Sequence, residues 1–84
     1  MNAKIYSDIG VRLRAFRGLG GMNQKQFALS LGYNPTQYTN WETGARRIPV
    51  DMAIRLVERF GLTLDYIYLG DVSALPHELA LKLK

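Results

Sequence analysis

Apolar residues recur along the chain at helical spacing, in short runs that end at or near glycines. Ile9, Leu13 and Phe16 are separated by four and three positions, so they would share one face of a first helix. Ser7 or Asp8 is predicted to cap this helix. The glycines at positions 18, 20 and 21 are predicted to stop it.

A second helix is predicted after Asn23, a residue type that caps helices well because its side chain accepts from a free backbone N–H. Phe27, Ala28 and Leu31 form its apolar face. Gly32 follows after two turns and is predicted to take the left-handed conformation just beyond the helix.

A third helix is predicted to start at Asn34 and Pro35, a cap followed by proline at the first helical position. Tyr38 and Trp41 lie at i and i+3 on one face of this helix. Gly44 is predicted to end it.

The rest of the chain continues the helical pattern. A fourth helix is predicted from about 50 to 60, closed by Gly61, and a fifth from a Thr63 cap to Gly70. The predicted inward residues are Met52, Ala53, Leu56, Val57 and Phe60 on the fourth helix and Leu64, Ile67 and Tyr68 on the fifth. No long alternation typical of strands occurs. The pattern predicts an all-α, compact bundle of about five short helices in a domain over 1–70. Residues 71–84 are predicted to form a tail or short helix after Pro76.

Composition excludes several classes of function. The chain has 84 residues, no cysteine and a single histidine, His77, so a thiolate metal site, a disulfide framework and a zinc site are not expected. No apolar run reaches the roughly 18 residues of a membrane span. No catalytic triad spacing or phosphate-binding loop is recognisable. We expect a cytoplasmic protein that is not an enzyme, has no cofactor and shows no evident small-molecule ligand.

The excess of positive charge lies in the first half of the chain. Residues 1–49 contain seven Lys and Arg residues against two Asp and Glu, a net charge of +5, whereas residues 50–84 have a net charge of −1. Such asymmetry suits a polyanion-binding face in the first half, although an ordinary solvated surface would also account for it.

The second and third helices together meet the demands of a DNA-reading helix-turn-helix. The glycine at 32 allows the tight turn, and the small Ala28 allows the helices to approach closely. The third helix offers uncharged hydrogen-bonding side chains that suit base edges in the major groove. These side chains are Asn34, Thr36, Gln37, Thr39 and Asn40.

The ordered motifs from about 7 to 70 resemble the lambda-repressor-like (XRE/Cro-type) DNA-binding domain. The resemblance is carried by Gly21-Met-Asn-Gln-Lys-Gln-Phe-Ala-Leu-Ser-Leu-Gly32, Tyr38-Thr-Asn-Trp-Glu-Thr-Gly44, Arg46-Arg-Ile-Pro49 and Leu64-Asp-Tyr-Ile-Tyr-Leu-Gly70.

The resemblance implies a role for particular positions. The residues implied to contact bases are Asn34, Thr36, Gln37 and Asn40. The residues implied to contact phosphates are Asn23, Gln24, Thr43, Arg46 and Arg47. A structural pair between Arg17 and Glu42 is also implied. Two residues depart from the family pattern: Pro35 stands where many relatives have a polar reader, and Tyr38 stands where a smaller aliphatic residue is usual.

These observations predict a sequence-specific transcriptional regulator, expected to be a repressor of bacterial or prophage origin, that binds double-stranded DNA as a homodimer. The dimer contact is predicted on the fifth helix and the tail, at Leu69, Val72, Leu75, Leu79 and Leu83. The alternative is a protein-interaction module on the same fold, such as an antitoxin-like or adaptor protein.

Overall fold

The computed structural model describes residues 6–84, which form six helices and no strand. The all-α fold predicted from the apolar pattern is therefore confirmed, with the tail adding a sixth helix. In chain order the helices are α1 Ser7–Leu19, α2 Gln24–Ser30, α3 Pro35–Thr43, α4 Val50–Phe60, α5 Leu64–Leu69 and α6 His77–Leu83.

Side-chain caps fix where three of the helices begin. The side chain of Asn23 accepts from the backbone of Gln26, whose own side chain bonds back to the backbone of Asn23, so α2 begins in a complete capping box. Asn34 accepts from the backbone of Gln37 at the start of α3, and Thr63 accepts from that of Tyr66 at the start of α5. All three predicted caps are confirmed.

The predicted cap of α1 is wrong, whereas its predicted end is confirmed at Gly20, which is the C-cap residue. The helix starts at Ser7 with Tyr6 as its cap residue, and no side chain caps it. Instead, the Tyr6 backbone N–H donates to the carbonyl of Gly44 at the end of α3, which holds the first turn in place. At the other end the helix runs through Gly18, because a single glycine lowers helix stability without breaking the hydrogen-bond ladder.

The core lies around α3, which packs against both α1 and α2. Tyr38 is fully buried, and Phe27 and Trp41 are nearly so, in a cluster of tilted and edge-to-face aromatic rings. Three core residues, Ile48, Leu62 and Tyr66, were not predicted. Leu64 was predicted to face inward, but it is 36% exposed.

Three arginines connect helices by bonding to carbonyls at helix ends. Arg12 of α1 donates to the carbonyls of Ile67 and Tyr68 in α5. Arg55 and Arg59 of α4 donate to the carbonyls of residues 30–32 at the end of α2. Helix ends leave carbonyls without intrahelical partners, so these cations satisfy them and complement the helix dipole.

The tail is folded onto the bundle rather than free. Leu75 is buried, and Val72, Leu79 and Leu83 are partly buried against the core. These four residues were predicted as exposed candidates for a dimer contact, and for Leu75 that prediction is wrong because the turn before α6 packs it inward. Leu69, by contrast, is 76% exposed. Within residues 6–84 no helix is long and apolar enough to cross a membrane.

Gly10 allows α1 and α3 to approach each other closely. A Cβ atom at this position would lie 2.8 Å from the carbonyl oxygen of Trp41 and closer still to that of Glu42. Gly18, on the same helix, has open space around it. Gly10→Ala is therefore expected to destabilise the protein by about 1–3 kcal/mol, the usual cost of overpacking, or to prevent folding.

Gly18→Ala is the matched control, and it is expected to raise the free energy of unfolding by about 0.5–1 kcal/mol, because alanine favours helices over glycine. Thermal unfolding followed by circular dichroism measures both variants. Equal melting temperatures for the two would contradict the close approach of α1 and α3.

Candidate nucleic-acid interface

The outer face of α3 carries the polar side chains that were predicted to read bases. Thr36 and Gln37 are exposed, and Asn40, one turn after Gln37, is partly exposed. The inner face of the same helix is occupied by Tyr38 and Trp41 in the core. The helix is thus divided into a buried apolar side and an open side with uncharged hydrogen-bonding groups.

Asn34 lies at the start of this open face but has a structural role as well. Its side-chain oxygen accepts from the Gln37 backbone N–H at 3.1 Å. Its side-chain NH2 group remains available as a donor to another molecule. Pro35, which follows it, supplies the first helical residue without a donor that would need a partner.

The open face of α3 continues into a cleft with basic residues. Gln37, Asn40, Arg46 and Arg47 line this cleft together, so two predicted base readers lie beside two predicted phosphate ligands. The loop is held against the helix, since the Arg46 backbone N–H donates to the Asn40 carbonyl at 3.1 Å. Thr43, at the end of α3, is exposed.

Glu42 is the one buried charged residue among those the structure describes. The Arg17 guanidinium binds both of its carboxylate oxygens, at 2.7 and 3.1 Å. Tyr38 donates its hydroxyl to the carboxylate at 2.5 Å, and Gln24 donates its amide at 2.9 Å. These bonds join α1, α2 and α3 through one carboxylate, which we call the Glu42 network (Arg17, Gln24, Tyr38 and Glu42).

The network keeps Glu42 ionised inside the protein. Burial alone would raise the pKa of Glu42, but the hydrogen bonds from Arg17, Tyr38 and Gln24 outweigh it and lower the pKa below its ordinary value of 4.5. Burial and the neighbouring carboxylate raise the pKa of Tyr38, so its hydroxyl stays protonated and able to donate.

The surroundings of Gln24 and Glu42 differ from what the sequence suggested. The family resemblance implied the Arg17–Glu42 pair without indicating its burial, and the Glu42 side chain is only 2% exposed. Tyr38, which departs from the family pattern, donates its hydroxyl to Glu42. The i to i+4 spacing of 38 and 42 was the available signal, since such residues lie on the same helix face.

Gln24 reaches the surface with its amide already oriented. Its nitrogen donates to Glu42, and its oxygen accepts from the Thr39 hydroxyl at 3.3 Å. The second hydrogen of the amide nitrogen remains available as a donor. Asn23, beside it, uses both its backbone N–H and its side-chain oxygen in the capping box, which leaves its side-chain amide as the donor group.

Comparison with known protein families decides the classification. A family model described as helix-turn-helix, of the Cro/C1 type, matches residues 13–67, which is more than half of the chain. The chain belongs to the lambda-repressor-like, Cro/C1-type helix-turn-helix family. Members of this family are DNA-binding regulators rather than enzymes. Comparisons with curated proteins and with solved structures gave no significant match.

Family membership and geometry locate the helix-turn-helix motif at α2 and α3. Gly32 has φ +74° in the turn between them, the left-handed conformation predicted for it. The Tyr33 backbone N–H then donates to the Ala28 carbonyl, which fixes the direction in which the chain enters α3. In this Cro/C1-type domain the second helix of the motif is α3, whose open face carries Thr36, Gln37 and Asn40.

The Glu42 network predicts a specific dependence of stability on pH. A carboxylate with a lowered pKa in the folded state stabilises the protein above its ordinary pKa, and this contribution is lost as pH falls through the lowered value. Glu42→Gln is expected to cost about 3 kcal/mol near neutral pH, because it leaves Arg17 without its charged partner. The cost should shrink below pH 4.5.

Urea unfolding of the wild type and of Glu42→Gln from pH 7 to pH 3 measures this dependence. Glu58→Gln, at an exposed position of α4, is the control and should leave the profile unchanged. A constant difference between wild type and Glu42→Gln across the range would show that Glu42 is not held ionised by the network.

Proposed function

We propose that this protein is a sequence-specific transcriptional regulator that inserts α3 into the major groove of double-stranded DNA. The observation that supports this most is the open face of α3, where Thr36, Gln37 and Asn40 present uncharged donors and acceptors at helical spacing. Glutamine and asparagine amides can form paired hydrogen bonds to the edge of an adenine. Asn34 adds an amide donor at the start of the helix.

Phosphate contacts are proposed on both sides of this face. Arg46 and Arg47 are exposed at the cleft beside α3 and supply positive charge. Gln24 contributes an amide hydrogen oriented by Glu42, and Asn23 contributes its side-chain amide at the start of α2. Thr43 contributes an exposed hydroxyl. These contacts would fix the register of α3 on the duplex while carrying no sequence information.

Repression is the proposed mode of regulation. A domain that occupies the major groove prevents other proteins from reaching the same bases, and it needs no further surface for this effect. A DNA-binding domain of this size generally recognises a specific site as two copies, which bind half-sites one helical turn apart. We therefore propose that the protein acts as a homodimer.

Substitutions in the two classes of residue should have different effects on DNA binding. Gln37→Ala and Asn40→Ala are each expected to cost about 1–3 kcal/mol on the preferred site and to relax discrimination at the base pair they contact. Arg47→Ala is expected to weaken binding to all sequences alike and to reduce the salt slope by about 1. Fluorescence anisotropy titrations on specific and scrambled duplexes across a range of salt measure both effects.

Lys84→Ala is the matched control for charge, because it removes one exposed cation at the end of α6, outside the proposed interface. It should leave affinity and salt slope unchanged. Full discrimination between the duplexes in Gln37→Ala and Asn40→Ala would rule out these two residues as readers.

The proposed dimer contact centres on Leu69, the most exposed of the large apolar side chains within residues 6–84. Leu69→Asp should shift the protein toward the monomer and weaken binding to a two-half-site duplex more than to a single half-site. Leu81→Asp, at an exposed leucine of α6, is the control. Sedimentation velocity over a range of concentrations measures the association. Unchanged self-association of Leu69→Asp, or an equal loss of self-association in both variants, would show that the dimer contact does not centre on Leu69.

A further inference from the structure

A second concave surface lies outside the proposed DNA interface and has an aromatic floor. Phe16 of α1, Phe27 of α2 and Phe60 of α4 contribute to it. The rings of Phe16 and Phe60 meet edge to face with centroids 4.9 Å apart, and those of Phe27 and Phe60 are stacked with centroids 6.1 Å apart. We call this surface, bounded by α1, α2, α4 and α6, the phenylalanine groove.

The walls of the phenylalanine groove are apolar and partly open. Leu19 and Met22, on either side of the turn after α1, are 47% and 42% exposed although both line the groove. Leu79 of α6 closes another side. Large apolar side chains that stay this exposed beside an aromatic floor favour an apolar occupant that would remove them from water.

The rim of the groove is positively charged. Arg17, Arg59 and Lys82 line it, and none of the described residues in its lining is acidic. The Arg17 guanidinium is paired with Glu42. The Arg59 guanidinium donates one hydrogen bond to the Ser30 carbonyl and lies with its carbon 5.6 Å from the centre of the Phe60 ring. The Lys82 side chain is exposed and makes no hydrogen bond or ion pair to any of residues 6–84. Arg59 and Lys82 therefore contribute two cations to the lining of the groove, which among the described residues includes no anion.

We propose that the phenylalanine groove binds a small amphipathic carboxylate, with its aromatic or alkyl body on the phenylalanine floor and its carboxylate between Arg59 and Lys82. The groove has a volume of about 330 Å³, which suits a small molecule rather than a helix of a partner protein. Rings prefer the stacked and edge-to-face contacts that this floor offers. The paired cations supply the recognition of the carboxylate.

The groove is separate from the face proposed to read DNA. Among the described residues, its lining comes from α1, α2, α4, α6 and the segment between α1 and α2, with no contribution from α3. Ligand binding can therefore be tested without DNA. Failure of either proposal leaves the other standing.

Two-dimensional ¹H–¹⁵N NMR of the full chain, titrated with 2-naphthoate, tests the proposal. Saturating shifts are expected at the amides of Leu19, Met22 and Phe60 and not at those of Gln37 and Asn40. The uncharged 2-naphthalenemethanol should bind more weakly. Lys82→Ala should reduce affinity for naphthoate by about two- to five-fold, the effect of one exposed ion pair, and leave affinity for the alcohol unchanged.

Two glycine variants provide a matched test of the site. Gly20 lines the groove and has room for a side chain, since a Cβ atom there has its nearest neighbour at 3.8 Å. Gly18 has open space around it and does not line the groove. Gly20→Leu should abolish naphthoate binding, whereas Gly18→Leu should keep it.

Equal affinities for naphthoate and its alcohol, or equal binding by the two glycine variants, would overturn the proposal. Shifts of the same amides that depend on protein concentration alone, with no ligand present, would also overturn it. In that case the groove would be assigned to contact with a second copy of the chain.

Discussion

The carboxylate of Glu42 is buried in the protein, and the arrangement of the first three helices depends on keeping it satisfied. It accepts from Arg17 of α1, Gln24 of α2 and Tyr38 of α3. A buried charge without partners is severely destabilising, whereas one that is fully hydrogen-bonded is tolerated. A displacement larger than the Arg17, Gln24 and Tyr38 side chains can follow would break one of these bonds. The Glu42 network therefore selects one mutual orientation for α1, α2 and α3.

That orientation determines what the rest of α3 can do. Gly10 lets α1 approach the backbone of α3, and the Tyr6–Gly44 backbone bond joins the start of one helix to the end of the other. The inner face of α3 is thus committed to packing and to the network. Its outer face is left with Thr36, Gln37 and Asn40, and the basic residues lie beside it. Polar contacts that discriminate between bases and charges that attract phosphates are separated on the surface, which suits sequence reading by a small domain.

Most of the fold could be predicted from short-range sequence signals. Asn23, Asn34 and Thr63 are caps, and their effects act within a single turn, so the starts of α2, α3 and α5 followed directly from residue type. The start of α1 was wrong because it is fixed by a bond to Gly44, far away in sequence. Leu75 was predicted to be exposed for a similar reason, because only the folded-back position of the tail buries it.

The residues of the candidate site also differ in how far they could be predicted from sequence. The residues on the open face of α3 follow from helical spacing around Tyr38 and Trp41. The burial of Glu42 and the hydrogen bonds of Gln24 do not follow from helical spacing, since they depend on three helices meeting at one carboxylate. A glutamate after Trp41 resembles any solvated residue in the sequence, and the family resemblance paired it with Arg17 without indicating its burial. The phenylalanine groove was missed because its three rings come from three helices, each of which uses its phenylalanine as an ordinary core residue.

Selection of bound sequences from a pool of random duplex DNA tests the reading of DNA by α3 most directly. If α3 reads bases as part of a homodimer, one motif with two symmetry-related half-sites about one helical turn apart should be enriched. Recovery of DNA that is no different in sequence from the starting pool would contradict the reading of bases by α3.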